Sequence, residues 1–311
     1  LALLPAAIAV APSLAAADKI ADFYKDKTVK IVIGASMGGA YGLYAQLLSR
    51  HVSKYLPGAP TVVVQAMPGS GGNKAMNYTY NAGAQDGSMV SIVQISVVQE
   101  TLFNPKVHFS AKGFQYIGRF TNANIVATAH KRSGIKDWNA IAGTKFQIIS
   151  GYRGTKTAYL AKQRGEVDAS ITSWATLNVN HADELKSGTF IPLFQMMGER
   201  EPDLPNIPSI AEFGKTKGEK AFLAIISAGS AIGRTMAGPP KMPKYLIDGW
   251  REAFMKTVSD PAFKEDIAKR KSRLNPMNGE NITKIVHNVM DLPKEDVASA
   301  FAFYSKILKA K

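Results

Sequence analysis

The chain has 311 residues, 46% hydrophobic and 20% charged, which suits a globular protein with a full core and excludes a disordered one. It contains no cysteine, so disulfides, thiolate metal sites and a cysteine nucleophile are all excluded. Lysine and arginine (38) outnumber the acids (24) to give a net charge of +14, a field that attracts anions, but the basic residues are interleaved with acids, as in DPAFKEDIAKRKSR, so nucleic acid is not the expected partner.

The chain opens on LALLPAAIAVAPSLAAADKI. Residues 1–17 carry no charge and end in Ala15-Ala16-Ala17 before Asp18, which reads as the apolar core and cleavage site of a secretory signal remnant. A frayed apolar N-terminus is the plainer alternative. Pro5 and Pro12 interrupt the stretch, and it falls short of the roughly 20 apolar residues that a spanning helix needs. With no Met and no basic segment ahead of it, the chain is expected to begin inside a precursor and to be exported to the periplasm.

From Asp18 onward, short strands alternate with helices. VKIVI (29–33) is a β-branched strand, and the helix from Tyr41 to Leu56 sets Leu43, Leu47, Leu48, Val52, Tyr55 and Leu56 on one stripe before Pro57-Gly58 stops it. TVVVQAM (61–67) is a second strand, followed by the loop PGSGGN and a short helix from Lys74 to Asn81; SMVSIV (88–93) is a third. This order predicts parallel pairing with helices on both faces. FQYIGRF and NIVATAH read as connecting strands, and FQIIS (146–150) as the start of another unit. TKTAYLAKQRGEVDASI gives a helix, a Gly165 stop and a buried strand; FIPLFQMM (190–197) and AIGRTMAGPP (231–240) are further strands around a proline-rich loop. After Pro243 the pattern is helical: 244–258, 261–271, 281–290 and 293 to the end.

Gly34-Ala35-Ser36-Met37-Gly38 matches G-x-S-x-G, the elbow that presents a nucleophilic serine in α/β-hydrolases. Too few residues precede it to supply the earlier strands of that fold, and its partners on paper, Asp266 and His287, fall in the helical tail. The serine esterase is therefore the alternative reading. GASMGG lacks the dinucleotide spacing, and no Gly-Lys-Ser/Thr follows it. The five histidines (51, 108, 130, 181 and 287) show no metal-ligand spacing, and neither metal nor cofactor is expected. What remains is a glycine loop entering a helix, whose free amides and dipole favour a carboxylate. MPGSGGN repeats the device on the neighbouring strand, at the edge where open α/β sheets bind ligands. Either loop alone reads equally well as a tight turn.

These segments, with KTVKIVIGASMGGAYGLYAQLLSRHV, TVVVQAMPGSGGNKAMNYTYNAGAQDG, FNPKVHFSAKGFQYIGR, RGEVDASI and LPNIPSIAEF in order after a leader, resemble the periplasmic solute receptors of tripartite tricarboxylate transporters, the Bug family. The resemblance implies an α/β, two-lobed clamshell of the type II-like periplasmic binding protein kind. Each lobe would be a mainly parallel sheet flanked by helices, with the helical C-terminal tail packed on lobe 1. Residues 18–122 with 235–311 would form lobe 1, and 123–234 lobe 2. It further implies a monomeric, non-enzymatic receptor that passes a small organic carboxylate to membrane permease subunits. By position, the ligand-binding residues would be Ser36, Met37, Gly38, Gly39, Ala40, Tyr41, Ser70, Gly71, Gly72, Asn73, Gln94, Ser96, Ser173 and Trp174. Asp168 reads as a fold residue, and Arg153 as either a cleft cation or an ordinary surface arginine. Two departures stand out. Gly42 occupies a place that is often polar or acidic in the family, and the step from Trp138 to Phe146 leaves no room for a strand, loop and helix expected there. Residues dropped near Ala140–Ile141 are the expected explanation, since losing a core strand would expose a sheet edge.

Overall fold

The computed structural model describes residues 13–140, 147–149, 152 and 155–309. The leader up to residue 12, Ile141 and Arg153 therefore lie outside the described residues, as do Phe146 and Ser150 of the FQIIS segment; Gln147–Ile149 form no strand.

The chain runs α1 (Ser13–Tyr24), β1 (Thr28–Ile33), α2 (Ala40–His51), β2 (Thr61–Ala66), α3 (Asn73–Asn77), β3 (Met89–Val93), α4 (Val97–Phe103) and β4 (Gln115–Thr121). It continues with β5 (Ile125–His130), α5 (Thr155–Arg164), β6 (Ala169–Ser173), α6 (Trp174–Asn180), α7 (Ala182–Lys186) and β7 (Phe190–Gln195). The last part is α8 (Lys217–Ile232), β8 (Arg234–Gly238), α9 (Lys244–Ser259), α10 (Pro261–Lys269), β9 (Met277–Asn278), α11 (Gly279–Met290) and α12 (Lys294–Lys309).

Two sheets result, a six-stranded one in the order β2-β1-β3-β8-β4-β9 and a three-stranded one in the order β6-β5-β7. The β-branched β1, β2 and β3 pair parallel, with Thr28 opposite Thr61 and Lys30 opposite Met89. The remaining pairs are antiparallel, which corrects the expectation of mainly parallel sheets. The cause is topological. β4 runs out of the large sheet toward the small one, and β8 returns along the same path, so Val93 of β3 faces Thr235 at the start of β8. β6 was expected to be buried, but Ile171 is 56% exposed, because β6 is an edge among the described strands. Pro192, which has no N–H to donate, sits in the other edge strand, β7, beside a bulge in the ladder.

Helices cover both faces of the large sheet. On one face, α1, α2, α9 and α10 surround Trp250, which is fully buried and donates from Nε1 to the Tyr24 hydroxyl (2.8 Å); that hydroxyl in turn donates to the Gly87 carbonyl (2.9 Å). On the other face, α4, α8, α11 and α12 enclose Val93, Phe103, Phe114, Ile225, Ile282 and Val286. The helical tail thus packs on the large lobe. So does α8, which packs against α12, α11 and α4. The sequence reading passed over this helix, although Thr216 and Glu219 form a reciprocal capping box at its start.

Candidate functional site

The loops that follow β1, β2 and β3 lie side by side, because those strands are parallel neighbours. The first runs from Gly34 to Gly39 and enters α2 with no side-chain cap, so the amides of the first turn have no intrahelical acceptor. In the second, four successive residues, Gly69 to Gly72, have positive φ, and Ser70 at φ +50° is the only non-glycine among them. The third is Gln94–Ser96, before α4. The three meet at the Gln94 side chain: a Cβ on Gly72 would lie 2.5 Å from its Cδ, and one on Gly34 would lie 2.7 Å from its Nε2. Gln94 is buried, and its Nε2 has no acceptor among the described residues.

A cavity of 310 Å³ opens at the crossing between the two sheets, and Ala40, directly after the first loop, reaches it. Its floor is Thr121–Asn124, between β4 and β5. Ala40 and Tyr44 of α2, Arg234 of β8 and the segment Arg270–Arg273 line it from the large lobe; Ser173–Thr176, Val179 and Asn180 line it from the small one. The crossing is held firmly. The Ala123 N–H donates to the Ser230 carbonyl (2.9 Å), and the Trp174 N–H donates to the Asn124 carbonyl (2.8 Å). Asn122 donates to Glu201, and Arg273 forms an ion pair with Asp203 (2.6 Å), both joining the large lobe to the loop after β7.

Four cations, Arg234, Arg270, Lys271 and Arg273, line this cavity, and no acidic side chain among the described residues does, although Arg273 is paired with Asp203 beside it. Arg234 is the most confined of them. Its guanidinium lies 4.5 Å from the centre of the Tyr41 ring, and its Nε and Nη1 are buried with no acceptor among the described residues. Tyr41 is fixed in turn, its hydroxyl accepting from the Ile95 N–H (3.2 Å).

Of the residues singled out from sequence, Ala40, Ser173 and Trp174 line the cavity, and Tyr41 lies beneath Arg234. Ser36, Met37 and Gly38 are exposed on the first loop, with Gly39 half-buried; Ser70 and Gly71 are exposed on the second. Gly72 and Gln94 are buried where the loops meet, and Ser96 is half-buried next to them. Asn73 is committed elsewhere, donating to Glu100 of α4 (2.8 Å). Ser173 caps α6, accepting from the Thr176 N–H (3.2 Å). Asp168 sits in the bend before β6, its backbone carbonyl accepting from the His130 N–H (2.9 Å). Sequence reasoning missed Asn122, Asn124, Arg234 and Arg270–Arg273. The run KRKSR was in view only as basic residues interleaved with acids, partly in a helix expected over 261–271, whereas α10 ends at Lys269 and the following residues turn into the cavity wall.

The esterase alternative finds no support in this geometry. Asp266 pairs with His51 (2.9 Å) at the far end of α2 from Ser36, and His287 lies 3.6 Å from Asp291. Among the described residues, no cluster of His, Asp and Glu is placed to hold a metal ion, and no helix is long and apolar enough to cross a membrane.

No family model matches the sequence, and no curated protein matches it. Solved structures do. A TctC solute-binding protein from Polaromonas is similar at a TM-score of 0.65 and 15% identity, covering 91% of this chain and 99% of its own. MatC from Rhodopseudomonas palustris, with bound malate, gives 0.61 and 16% over 87% and 99%. The periplasmic binding protein BugD gives 0.59 and 17% over 88% and 97%. These likenesses show the fold, that of the two-lobed periplasmic binding proteins, and the neighbours include the TctC and Bug proteins that the sequence segments resemble.

Proposed function

We propose that the chain is a periplasmic solute receptor that captures a small organic carboxylate between its lobes and delivers it to the permease subunits of a tripartite tricarboxylate-type transporter. The lobes are residues 18–122 with 235–311 and residues 123–234, with α8 reassigned to the first by its packing. One observation carries the reading: among the described residues, the inter-lobe cavity is lined by four cations and no acid. Its 310 Å³ is at the small end of ligand pockets, which run from about 300 to 1,000 Å³. A carboxylate there meets Arg234 and the first turn of α2, whose free amides and dipole add partial positive charge. The small lobe contributes Trp174 and α6, and closing it over the site removes water, which strengthens each of these contacts. The structures of MatC with malate and of the TctC and BugD binding proteins support this reading through a shared fold. A receptor of this kind performs no chemistry on its ligand and acts as a monomer that the membrane subunits recognise when closed.

Thermal melts against a panel of mono-, di- and aromatic carboxylates, with sugars and amines as controls, test this. A cognate acid at 100 times its Kd adds about 2.7 kcal/mol, several degrees in Tm for a chain of this size. Silence across the acids, or stabilisation by a sugar or an amine instead, overturns the proposal.

A further inference from the structure

Helix α10 ends in a turn that suits glycine and holds a lysine. Two backbone bonds close it, from the Ser272 N–H to the Ile267 carbonyl (3.1 Å) and from the Lys271 N–H to the Ala268 carbonyl (2.8 Å). This closure puts the residue after the cap in the left-handed region, where a Cβ crowds the backbone and glycine is favoured. Here that residue is Lys271, at φ +51°.

The chain closes α5 with the same pair of bonds, from the Glu166 N–H to the Ala161 carbonyl (2.9 Å) and from the Gly165 N–H to the Lys162 carbonyl (3.3 Å). There the left-handed position is filled by glycine, Gly165 at φ +89°, and α7 is likewise followed by Gly188 at φ +70°. What separates the three is their surroundings. Lys271 is exposed and lines the inter-lobe cavity, and neither glycine does.

A lysine at a helix C-terminus also gains from the helix dipole, but Lys269 and Arg270 already supply that charge, and Arg270 does so at an ordinary φ of −90°. Nor is Lys271 needed as an ion-pair partner. Lys269 pairs with Glu265 (2.9 Å) and Arg273 with Asp203 (2.6 Å), whereas no acid among the described residues lies within ion-pair distance of Lys271. An unpaired cation held in a disfavoured backbone conformation at a cavity wall points to a role that the fold does not supply.

Resting on the receptor reading above, we infer that Lys271 is an affinity-determining residue of the cleft, kept at the end of α10 against the preference of the backbone so that its ammonium meets an anion in the cavity. Glycine at this position makes a more stable protein and a weaker receptor. The ammonium acts on charge rather than shape, so its contribution grows with the number of carboxylates on the ligand and fades with salt.

The test is titration calorimetry and thermal melting of the full chain with butyrate, succinate and tricarballylate, and with benzoate and phthalate as an aromatic pair, at low salt and in about 0.5 M NaCl. Lys271→Gly is expected to raise Tm by roughly 2 °C, the gain from relieving one left-handed residue in a chain of this size. It is expected to weaken whichever probe binds by about fivefold at low salt, as loss of one exposed ion pair does, with the loss shrinking at high salt. Where probes of different charge bind, the most highly charged loses most. Lys271→Arg keeps both the charge and the strain, so Tm and affinity stay near those of the parent. A stabilised Lys271→Gly that binds as tightly as the parent overturns this inference and leaves the receptor reading standing. An equal loss of affinity in Lys271→Arg also overturns it, by placing the effect in the shape of the turn. An unchanged or lowered Tm in Lys271→Gly removes the strain on which the inference rests. No saturable binding of any probe by the parent removes both readings.

Discussion

Gly42→Ala is expected to weaken carboxylate binding by more than tenfold, while Gly38→Ala and Gly39→Ala leave it within about twofold. Helix propensity alone favours the first change, since alanine exceeds glycine by about 1 kcal/mol in a helix interior. Steric contact reverses that preference. A Cβ at Gly42 would sit 2.0 Å from the Met37 carbonyl oxygen and 2.6 Å from the Met37 Cα, both backbone atoms with no rotamer to yield. The first loop is folded back onto the first turn of α2 at this point, and Gln46 Nε2 holds the same Met37 carbonyl at 3.0 Å. Alanine forces the loop off the helix and takes its amides out of register with Arg234 and the Gln94 junction. By contrast, nothing lies within 4 Å of a Cβ on Gly38, and the nearest atom to one on Gly39 is 3.7 Å away. Calorimetry with the best acid of the panel checks the affinities, and far-UV circular dichroism checks that all three variants fold. Equal losses at positions 38, 39 and 42 would contradict the geometry.

Lys162→Met is expected to stabilise the protein by about 2 kcal/mol at pH 7, with the gain shrinking toward pH 10. Lys162 is fully buried in the small lobe. Its Nζ donates to Thr128 Oγ1 (2.6 Å) and lies over the rings of Phe190 (3.7 Å) and Tyr159 (4.4 Å). Burial, with the nearby positive charge of Arg132, pushes its pKa down to about 7 from an ordinary 10.5, and Glu184 offsets only part of this. Between about pH 7 and 10.5, then, the unfolded chain holds a proton that the native state has released, and stability rises with pH. Below pH 7 both states hold the proton, the slope vanishes, and the folded protein carries the full cost of a buried cation. Methionine fills similar volume without that cost. Urea melts of both proteins at pH 7, 8, 9 and 10 measure the difference. A gain independent of pH would place the effect in packing rather than in the buried charge.

The part of the fold set by local pattern was legible in the sequence. The β-branched runs of β1, β2 and β3, their parallel order and the helices of the tail follow from residue type and proline punctuation. Strand direction beyond them was not legible. Whether Arg234–Gly238 runs with or against β3 depends on the side from which the chain returns after crossing to the small sheet, and no residue in the strand encodes that. α8 was missed because Gly218 and the stretch Ser227-Ala228-Gly229-Ser230-Ala231 blur its period, although its capping box was readable.

The site divides along the same line. Both glycine loops announced themselves, but the demand for glycine at position 42 was not legible, because close packing against Met37 is a tertiary fact. Arg234 reads as one residue within an ordinary strand over 231–240, and KRKSR as the end of a helix over 261–271 and the residues after it. Only the folded chain brings them to one wall. Ser173 and Asn73 were named as ligand contacts from position, and the hydrogen bonds show each serving its own helix, as the N-cap of α6 and as a tie from α3 to α4.

The central claim is that a carboxylate closes the cleft between the lobes, and hydrogen–deuterium exchange with and without the best acid of the panel tests it most directly. Slowed exchange is predicted in peptides covering residues 34–42, 69–73 and 94–96 of the large lobe, at the crossing 121–124, and at 173–180 of the small lobe, in one saturable step. Protection confined to one lobe, or spread over the exposed basic surface and abolished by salt, contradicts it.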